Sequence, residues 1–334
     1  MRRITISDVA EHAGVSKSTV SQYLNKRYDY MGKKTKERIE HAVKELGYSP
    51  NIIARSLKQK STMTIGVIVA NILHVFSTQV IRAIEDFCNE KDFHVIICNA
   101  DDDPEKEKRY IEMLQSKQVD GIIAFPTGGN VELYKALIEV QFPVVFMDRI
   151  IPGIEIDTVI LDNEKASFLA VEEFLRKGYR EIGMLSPPLR ENVTSRMERI
   201  NGFKKALDNK QITFNQNYLM VGEINNIQVV MKEMLEQDNP PDALLALNDR
   251  VLHEVLAFTK KHRMRLPEDL AVIGIDEVSY ANIYSPALTT IQQPAFDMGK
   301  KAAELLLNRI TNKENCMDPK IYRFEPKLNS RESC

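Results

Sequence analysis

The chain has 334 residues, too many for one ordinary hydrophobic core, so two or three domains are expected. Hydrophobic residues make up 43% and charged residues 28%, and no apolar run approaches the roughly 20 residues needed to span a bilayer, which argues against a helical membrane protein. The net charge of −2 hides an asymmetry: residues 1–60 carry a balance of +7 and the remainder −9, which suits a small module that meets a polyanion, or else a solvated charged face.

The opening stretch MRRITISDVAEHAG has neither an apolar segment nor a small-residue cleavage site, so no export is expected and a cytoplasmic location follows. The four cysteines, Cys88, Cys98, Cys316 and Cys334, show no metal-ligand or redox spacing and read as reduced thiols.

The first 47 residues read as three short helices. Ile6, Val9, Ala10 and Ala13 share a face after the cap-like Ser7-Asp8, and Gly14 ends that helix. Ser16 can cap a second, with Val20 and Leu24 pointing inward. Thr35 opens a third, with Ile39, Ala42, Val43 and Leu46 inward and Gly47 closing it. Two helices separated only by Gly14-Val15-Ser16 suit a helix-turn-helix.

Residues 48–61, YSPNIIARSLKQKS, carry a Ser49-Pro50 start signal and then Ile53, Ala54 and Leu57 at helical spacing. So short a helix is unstable alone in water, which makes this a linker or a segment that folds on contact.

From Thr64 onward, eight apolar strand-like runs, from TIGVIVANI to LAVIGID, alternate with helical stretches at 77–91, 104–117, 163–177, 196–208, 250–263 and 296–311. That rhythm indicates α/β units around parallel sheets, but periodicity does not choose between one barrel and two doubly wound sheets. Ligand sites in open α/β sheets gather at the carboxyl ends of strands. Those ends carry Asn71, Asp148, Asn248-Asp249 and Asp276-Glu277.

Catalytic patterns are missing: there is no dinucleotide or phosphate-loop glycine pattern, no H-E-x-x-H and no nucleophile elbow, so an enzyme is not expected. The six histidines are isolated in sequence, and no metal or cofactor is expected. Asp101-Asp102-Asp103-Pro104 reads as an acidic cap with proline in the first helical turn. Asp148, Asn248, Asp249 and Asp276, with Arg196 and Arg199, form a richer set, either helix caps or a cleft for a polar small molecule.

The stretches DVA-x-x-AGVS-x-x-TVS and LGY-x-PN-x-x-AR-x-L resemble the DNA-binding headpiece and hinge of the lactose-repressor (LacI/GalR) family of bacterial transcription regulators. The likeness continues through VVFMDR, RINGF, LALND, VIGIDE and SPALTTIQQP, and so covers nearly the whole chain.

The resemblance implies an all-α helix-turn-helix headpiece (1–47), a hinge helix and linker (48–61) and an α/β periplasmic-binding-protein-like core of two Rossmann-like lobes (62–334). The N-lobe would take about 62–161 and 293–322, the C-lobe about 162–292 and 323–334. It further implies a regulator, expected to repress a carbohydrate-utilisation operon, whose partners are a double-stranded DNA operator, a small sugar-like effector and a second copy of the chain. A tetramer is not expected, because no apolar heptads follow the last strand.

On the positions that match the family, Lys17, Ser18 and Gln22 would face base edges and Thr19, Ser21 and Asn25 would hold phosphates, with Thr5, Ser16 and Tyr28 alongside. Leu57, supported by Ala54 and Asn51, would wedge into the minor groove. The effector would meet Phe76, Asp148, Arg149, Arg196, Arg199, Asn248, Asp276 and Gln293.

Three departures from the family pattern stand out. His74-Val75-Phe76-Ser77 replaces Asn-Pro-Phe-Phe, Met31-Gly32 replaces Val-Ser, and Gln22 replaces the common Arg or His. Arg149 and Arg196 either favour an acidic sugar derivative, such as a uronate, gluconate or ketodeoxygluconate, or pair with a protein carboxylate. A solute-binding protein for sugars, or a corepressor-dependent or global regulator of the same family, is the alternative.

Overall fold

A computed structural model of the chain describes residues 4–25, 27–29, 31–49, 61–189, 193–312 and 318–334. The hinge positions Asn51, Ala54 and Leu57 lie outside the described residues. The chain divides into two compact units, Met1–Thr62 and Met63–Cys334.

The smaller unit packs α1 (Ile6–Ala13), α2 (Lys17–Leu24) and α3 (Lys33–Glu45) around Val9, Ala10, Ala13, Val20, Ile39 and Ala42. The cap of α1 is Thr5, two residues before the expected Ser7-Asp8. The Thr5 backbone N–H and hydroxyl both donate to the Asp8 carboxylate at 2.7 Å, the reciprocal spacing of a capping box, and Ser7 lies inside the helix. Gly14 closes α1 in the left-handed region (φ 60°, ψ 42°), and Arg38 from α3 donates to the carbonyls of Ala13 and Gly14. Ser16 Oγ accepts from the Thr19 N–H at 3.1 Å and so caps α2. The third helix begins at Lys33 rather than Thr35, because Gly32 serves as its N-cap.

The larger unit holds two six-stranded sheets. The first contains β1 (Thr64–Val69), β2 (His94–Asn99), β3 (Gly121–Ala124), β4 (Val144–Met147), β5 (Thr158–Leu161) and β11 (Ile321–Phe324), in the order β11-β5-β4-β3-β1-β2. The second contains β6 (Ile182–Ser186), β7 (Leu219–Val221), β8 (Ala243–Ala246), β9 (Ala271–Ile275), β10 (Thr289–Gln292) and β12 (Lys327–Asn329), in the order β12-β10-β9-β8-β6-β7. Every pairing is parallel except β10 with β12. The two sheets rule out a barrel. β3, β4, β5, β6, β8 and β9 are buried along their whole length, as expected where helices cover both faces of a parallel sheet.

Twelve strands among the described residues exceed the eight legible runs. β5 and β10 are four-residue pieces, and β11 and β12 are part-exposed edge strands with interspersed basic and polar residues. The chain leaves the first sheet after β5, builds β6 to β10, returns for β11 and ends in the second sheet with β12. The last crossing follows Phe324 rather than about residue 322, since β11 pairs with β5 through Leu161↔Phe324. The returning helix Ala295–Thr311 lies close on helix Val75–Glu90: a Cβ at Gly299 would sit 2.7 Å from the Val80 carbonyl oxygen.

Among the described residues no helix is long and apolar enough to cross a membrane. Cys88, Cys98 and Cys334 are buried free thiols, and burial pushes Cys88 and Cys334 up to about 12, so neither is a reactive thiolate.

Candidate nucleic-acid interface and ligand cleft

In the smaller unit, α2 buries Val20 completely and Tyr23 and Leu24 in part, leaving Lys17, Ser18 and Gln22 exposed. At about 100° per residue, Lys17, Ser18, Ser21, Gln22 and Asn25 span about 140° of arc on the side away from Val20. The fold therefore presents the expected base-reading residues together on one face. The other members of the expected set carry structural tasks as well. Ser16 Oγ hydrogen-bonds Ser18 Oγ (2.6 Å) and Thr19 Oγ1 (2.8 Å), and Asn25 Nδ2 donates to the Ser21 carbonyl at 2.7 Å, holding the end of the helix. Tyr28 stands edge-on to Tyr23 with ring centroids 6.0 Å apart, and the Lys36 ammonium lies 4.1 Å over its ring.

In the larger unit, Phe76, Asp148, Arg149, Arg196, Arg199, Asn248, Asp276 and Gln293 line a single cavity. It is the meeting point of strand ends from both sheets: Asp148 follows β4, Asn248 follows β8 and Asp276 follows β9. Asp148 (φ 68°) and Asp276 (φ 90°) both have positive φ, a conformation that costs a non-glycine residue roughly 1–2 kcal/mol and that concentrates at functional positions. The cavity volume is ≈ 50 Å³. That is far below the roughly 300–1,000 Å³ of a typical small-molecule pocket, so a ligand of that size enters only if the cavity widens.

Each polar wall has a defined partner. Gln293 Nε2 donates to Asp276 Oδ1 at 2.6 Å, while Gln293 Oε1 is buried with no hydrogen-bond partner. Arg199 is held by Asn163 Oδ1 (2.9 Å) and the Leu247 carbonyl (2.8 Å). Asn248 is both a cap and a cleft residue: its Oδ1 accepts from the Val251 N–H at 2.9 Å, opening helix Asp249–Lys261. Asp148 lies 3.5 Å from both Ser195 Oγ and Arg149 Nε. Phe76 is 7% exposed and meets Phe125 edge-on (6.3 Å, 70°), so it belongs to the core and to the cavity wall at once.

Asp102 was missed. Arg149 Nη1 donates to Asp102 Oδ1 at 2.7 Å, and Arg196 Nη2 to Asp102 Oδ2 at 3.3 Å. Both arginines therefore pair with a protein carboxylate. Of the acidic run, Asp103 is the cap, accepting from the Glu105 N–H at 2.9 Å, and Asp101 pairs with Lys106. Burial pushes the Asp102 carboxyl up, but Arg149 and Arg196 outweigh it and hold the group below the usual range. Burial also lowers Arg196, helped by repulsion from Arg149 and opposed by Asp102.

His74, legible in the sequence only as a departure from the family pattern, also lines the cavity. Its Nδ1 meets Asp249 Oδ1 at 2.5 Å, and the Val75 N–H donates to Asp249 Oδ2 at 2.8 Å. Burial raises the Asp249 carboxyl, but the His74 contact and the backbone donors reverse this, so the group is held low. Asp276 moves the other way: burial and then the neighbouring Asp249 charge raise it, only partly offset by Arg199.

Comparisons with known proteins place these features. Residues 5–51 match the description "bacterial regulatory proteins, lacI family", and residues 171–334 match a periplasmic binding protein-like domain. The probable HTH-type transcriptional regulator EndR of Paenibacillus polymyxa is 46% identical over 332 residues, covering 98% of each chain. The chain belongs to the lacI family of bacterial regulatory proteins. It is a DNA-binding transcriptional regulator, and its relatives are regulators, not enzymes. Two solved members share its fold. The Lac repressor dimer bound to operator and the anti-inducer ONPF has a TM-score of 0.86 and 25% identity, covering 99% of both chains. The transcriptional regulator CelR in complex with cellobiose has a TM-score of 0.73 and 26% identity, covering 99% of this chain and 100% of that one.

Proposed function

We propose that this family member is a homodimeric, cytoplasmic repressor of carbohydrate-utilisation genes. It reads a pseudo-palindromic operator with Lys17, Ser18 and Gln22 of α2, through a hinge at 48–61, and releases or tightens on it when a small sugar fills the cleft. The observation that carries the effector site is the convergence of eight polar and aromatic residues from two sheets on one cavity, with the Gln293 Oε1 acceptor left open. A buried acceptor with no partner is costly unless something donates to it, and a sugar hydroxyl does so.

The charge pattern favours a neutral, polyhydroxylated ligand over a sugar acid. Asp102 pairs with both Arg149 and Arg196, Asp148 lies 3.5 Å from Arg149, and Asp249 is held by His74, so with Asp276 four carboxyl groups stand against the three guanidinium groups of Arg149, Arg196 and Arg199. Two features of solved relatives support this reading: CelR is seen with cellobiose, and the Lac repressor is seen as a dimer on operator with an anti-inducer.

The test is a thermal-shift screen with neutral sugars and sugar acids, followed by gel-shift on DNA beside the gene with excess nonspecific competitor. A ligand at 100 times its Kd adds about 2.7 kcal/mol to stability. Gln293→Ala should lose that shift while keeping the salt-sensitive gel-shift. A hit among the acids alone would overturn the neutral-ligand assignment, and loss of DNA binding in Gln293→Ala would overturn the separation of the two sites.

A further inference from the structure

We propose that His12, His41 and Glu45 form a binding site for a divalent transition-metal ion of the zinc type, which fastens α1 to α3 in the DNA-binding unit. His12 lies 33 residues before Glu45 in sequence, and the packing of α1 on α3 brings it to the His41–Glu45 pair. His12 Nε2 lies 2.8 Å from Glu45 Oε2, and His41 Nδ1 lies 3.2 Å from the same oxygen. All three potential ligand atoms fall within 4.8 Å of one another.

These separations match what a cation needs. Metal–ligand distances of about 2.0–2.1 Å in a tetrahedral site place neighbouring ligand atoms roughly 3.3 Å apart. Both His–Glu separations fall within about 0.5 Å below that edge, so an ion is accommodated by side-chain rotation without moving a helix. His41 and Glu45 are spaced i, i+4 on one helix, which sets two ligands on one face. His12, in the last turn of α1, supplies the third from the neighbouring helix. Two imidazoles and one carboxylate are the donors that zinc takes with a fourth position left to water. That fourth position is available, since the side chains are 41% (His12), 77% (His41) and 53% (Glu45) exposed.

Both imidazoles direct ring nitrogens at a single carboxylate oxygen, an arrangement that as a hydrogen-bonded pair needs a proton for each contact. A cation replaces both protons at once. The consequence is structural. The unit's core is small, and a metal bridge between its first and third helices steadies the turn that presents α2.

The experiment titrates Zn2+ into chelator-stripped full-length protein by calorimetry, with His41→Ala in parallel. His41 is the most exposed of the three, so the variant keeps the fold. Wild type should take up one more ion per chain than the variant, or bind Zn2+ about tenfold or more tightly, and Zn2+ should raise hydrogen-exchange protection in α1 and α3 of wild type alone. Equal Zn2+ binding by both proteins overturns the site, as does no uptake by wild type, which would leave a hydrogen-bonded His–Glu cluster only. Glu45→Gln provides a second reading: Zn2+ binding unchanged in that variant also overturns it.

Discussion

His74 Nδ1 and Asp249 Oδ1 meet at 2.5 Å, joining the start of helix Val75–Glu90, which follows β1, to the start of helix Asp249–Lys261, which follows β8. The contact bridges the two sheets beside the ligand cavity, and the Val75 N–H reinforces it on the second carboxylate oxygen. A ligand that parts the lobes must therefore break or replace a charge-assisted hydrogen bond. Ligands shift such an equilibrium only by their differential affinity for the two arrangements.

His74→Ala should lower stability by about 1.5–3 kcal/mol, the range for a hydrogen bond to a charged group. Chemical denaturation gives the loss. Hydrogen exchange should also quicken at residues 72–78 and 249–254 while β3 and β4 stay protected. Uniform loss of protection would show that the contact serves the whole fold and does not latch the cleft.

Acid should separate the cleft carboxylates by sign. Asp102 and Asp249 are held low, so the stability they add is complete above the ordinary Asp value of about 3.9 and is lost as pH falls through their depressed values. Asp276 is raised, so its ionised form costs stability, and that cost disappears on protonation at pH above the ordinary value. Asp276→Asn should therefore gain stability relative to wild type at neutral pH, and the gain should shrink in mild acid. A gain independent of pH would contradict the raised carboxyl.

Gly14→Ala should weaken the DNA-binding unit by about 1–2 kcal/mol, the cost of a left-handed residue carrying a Cβ. The added methyl would also press on Arg38 Nη2, which ties the turn to α3. Loss of hydrogen-exchange protection confined to α1–α3, with the larger unit unchanged, is the expected pattern.

Gln22→Ala should relax preference for one base pair in each half-site, worth about 1–3 kcal/mol, without changing the salt dependence of binding. Binding-site selection on randomised DNA measures this. An unchanged consensus would remove Gln22 from the reading set.

The helix-turn-helix was legible because its signals are local: Gly14, the Ser16 cap and the Val20 spacing each act within a few residues. The strand-end residues Asp148, Asn248 and Asp276 were legible for the same reason, sitting where apolar runs stop. Asp102 was not. In a run of three aspartates before a proline, nothing local separates the one that caps a helix from the one that receives two arginines 47 and 94 residues away. His12 and His41 looked isolated because only helix packing unites them. β5 was lost because no helix separates it from β4, which breaks the strand–helix rhythm, and β10 because Thr289, Thr290 and Gln292 leave it a single strongly apolar residue.

The single carboxylate of Asp102 serves two guanidinium groups that come from different elements, Arg149 after β4 and Arg196 in helix Thr194–Asn209. Replacing Asp102 would strand two cations, and replacing either arginine would leave the other with a carboxylate to itself. Ligand preference in this cleft should therefore be strongly epistatic. Relatives or engineered variants that switch to a charged effector are expected to change these three positions together, with single substitutions passing through poorly folded intermediates.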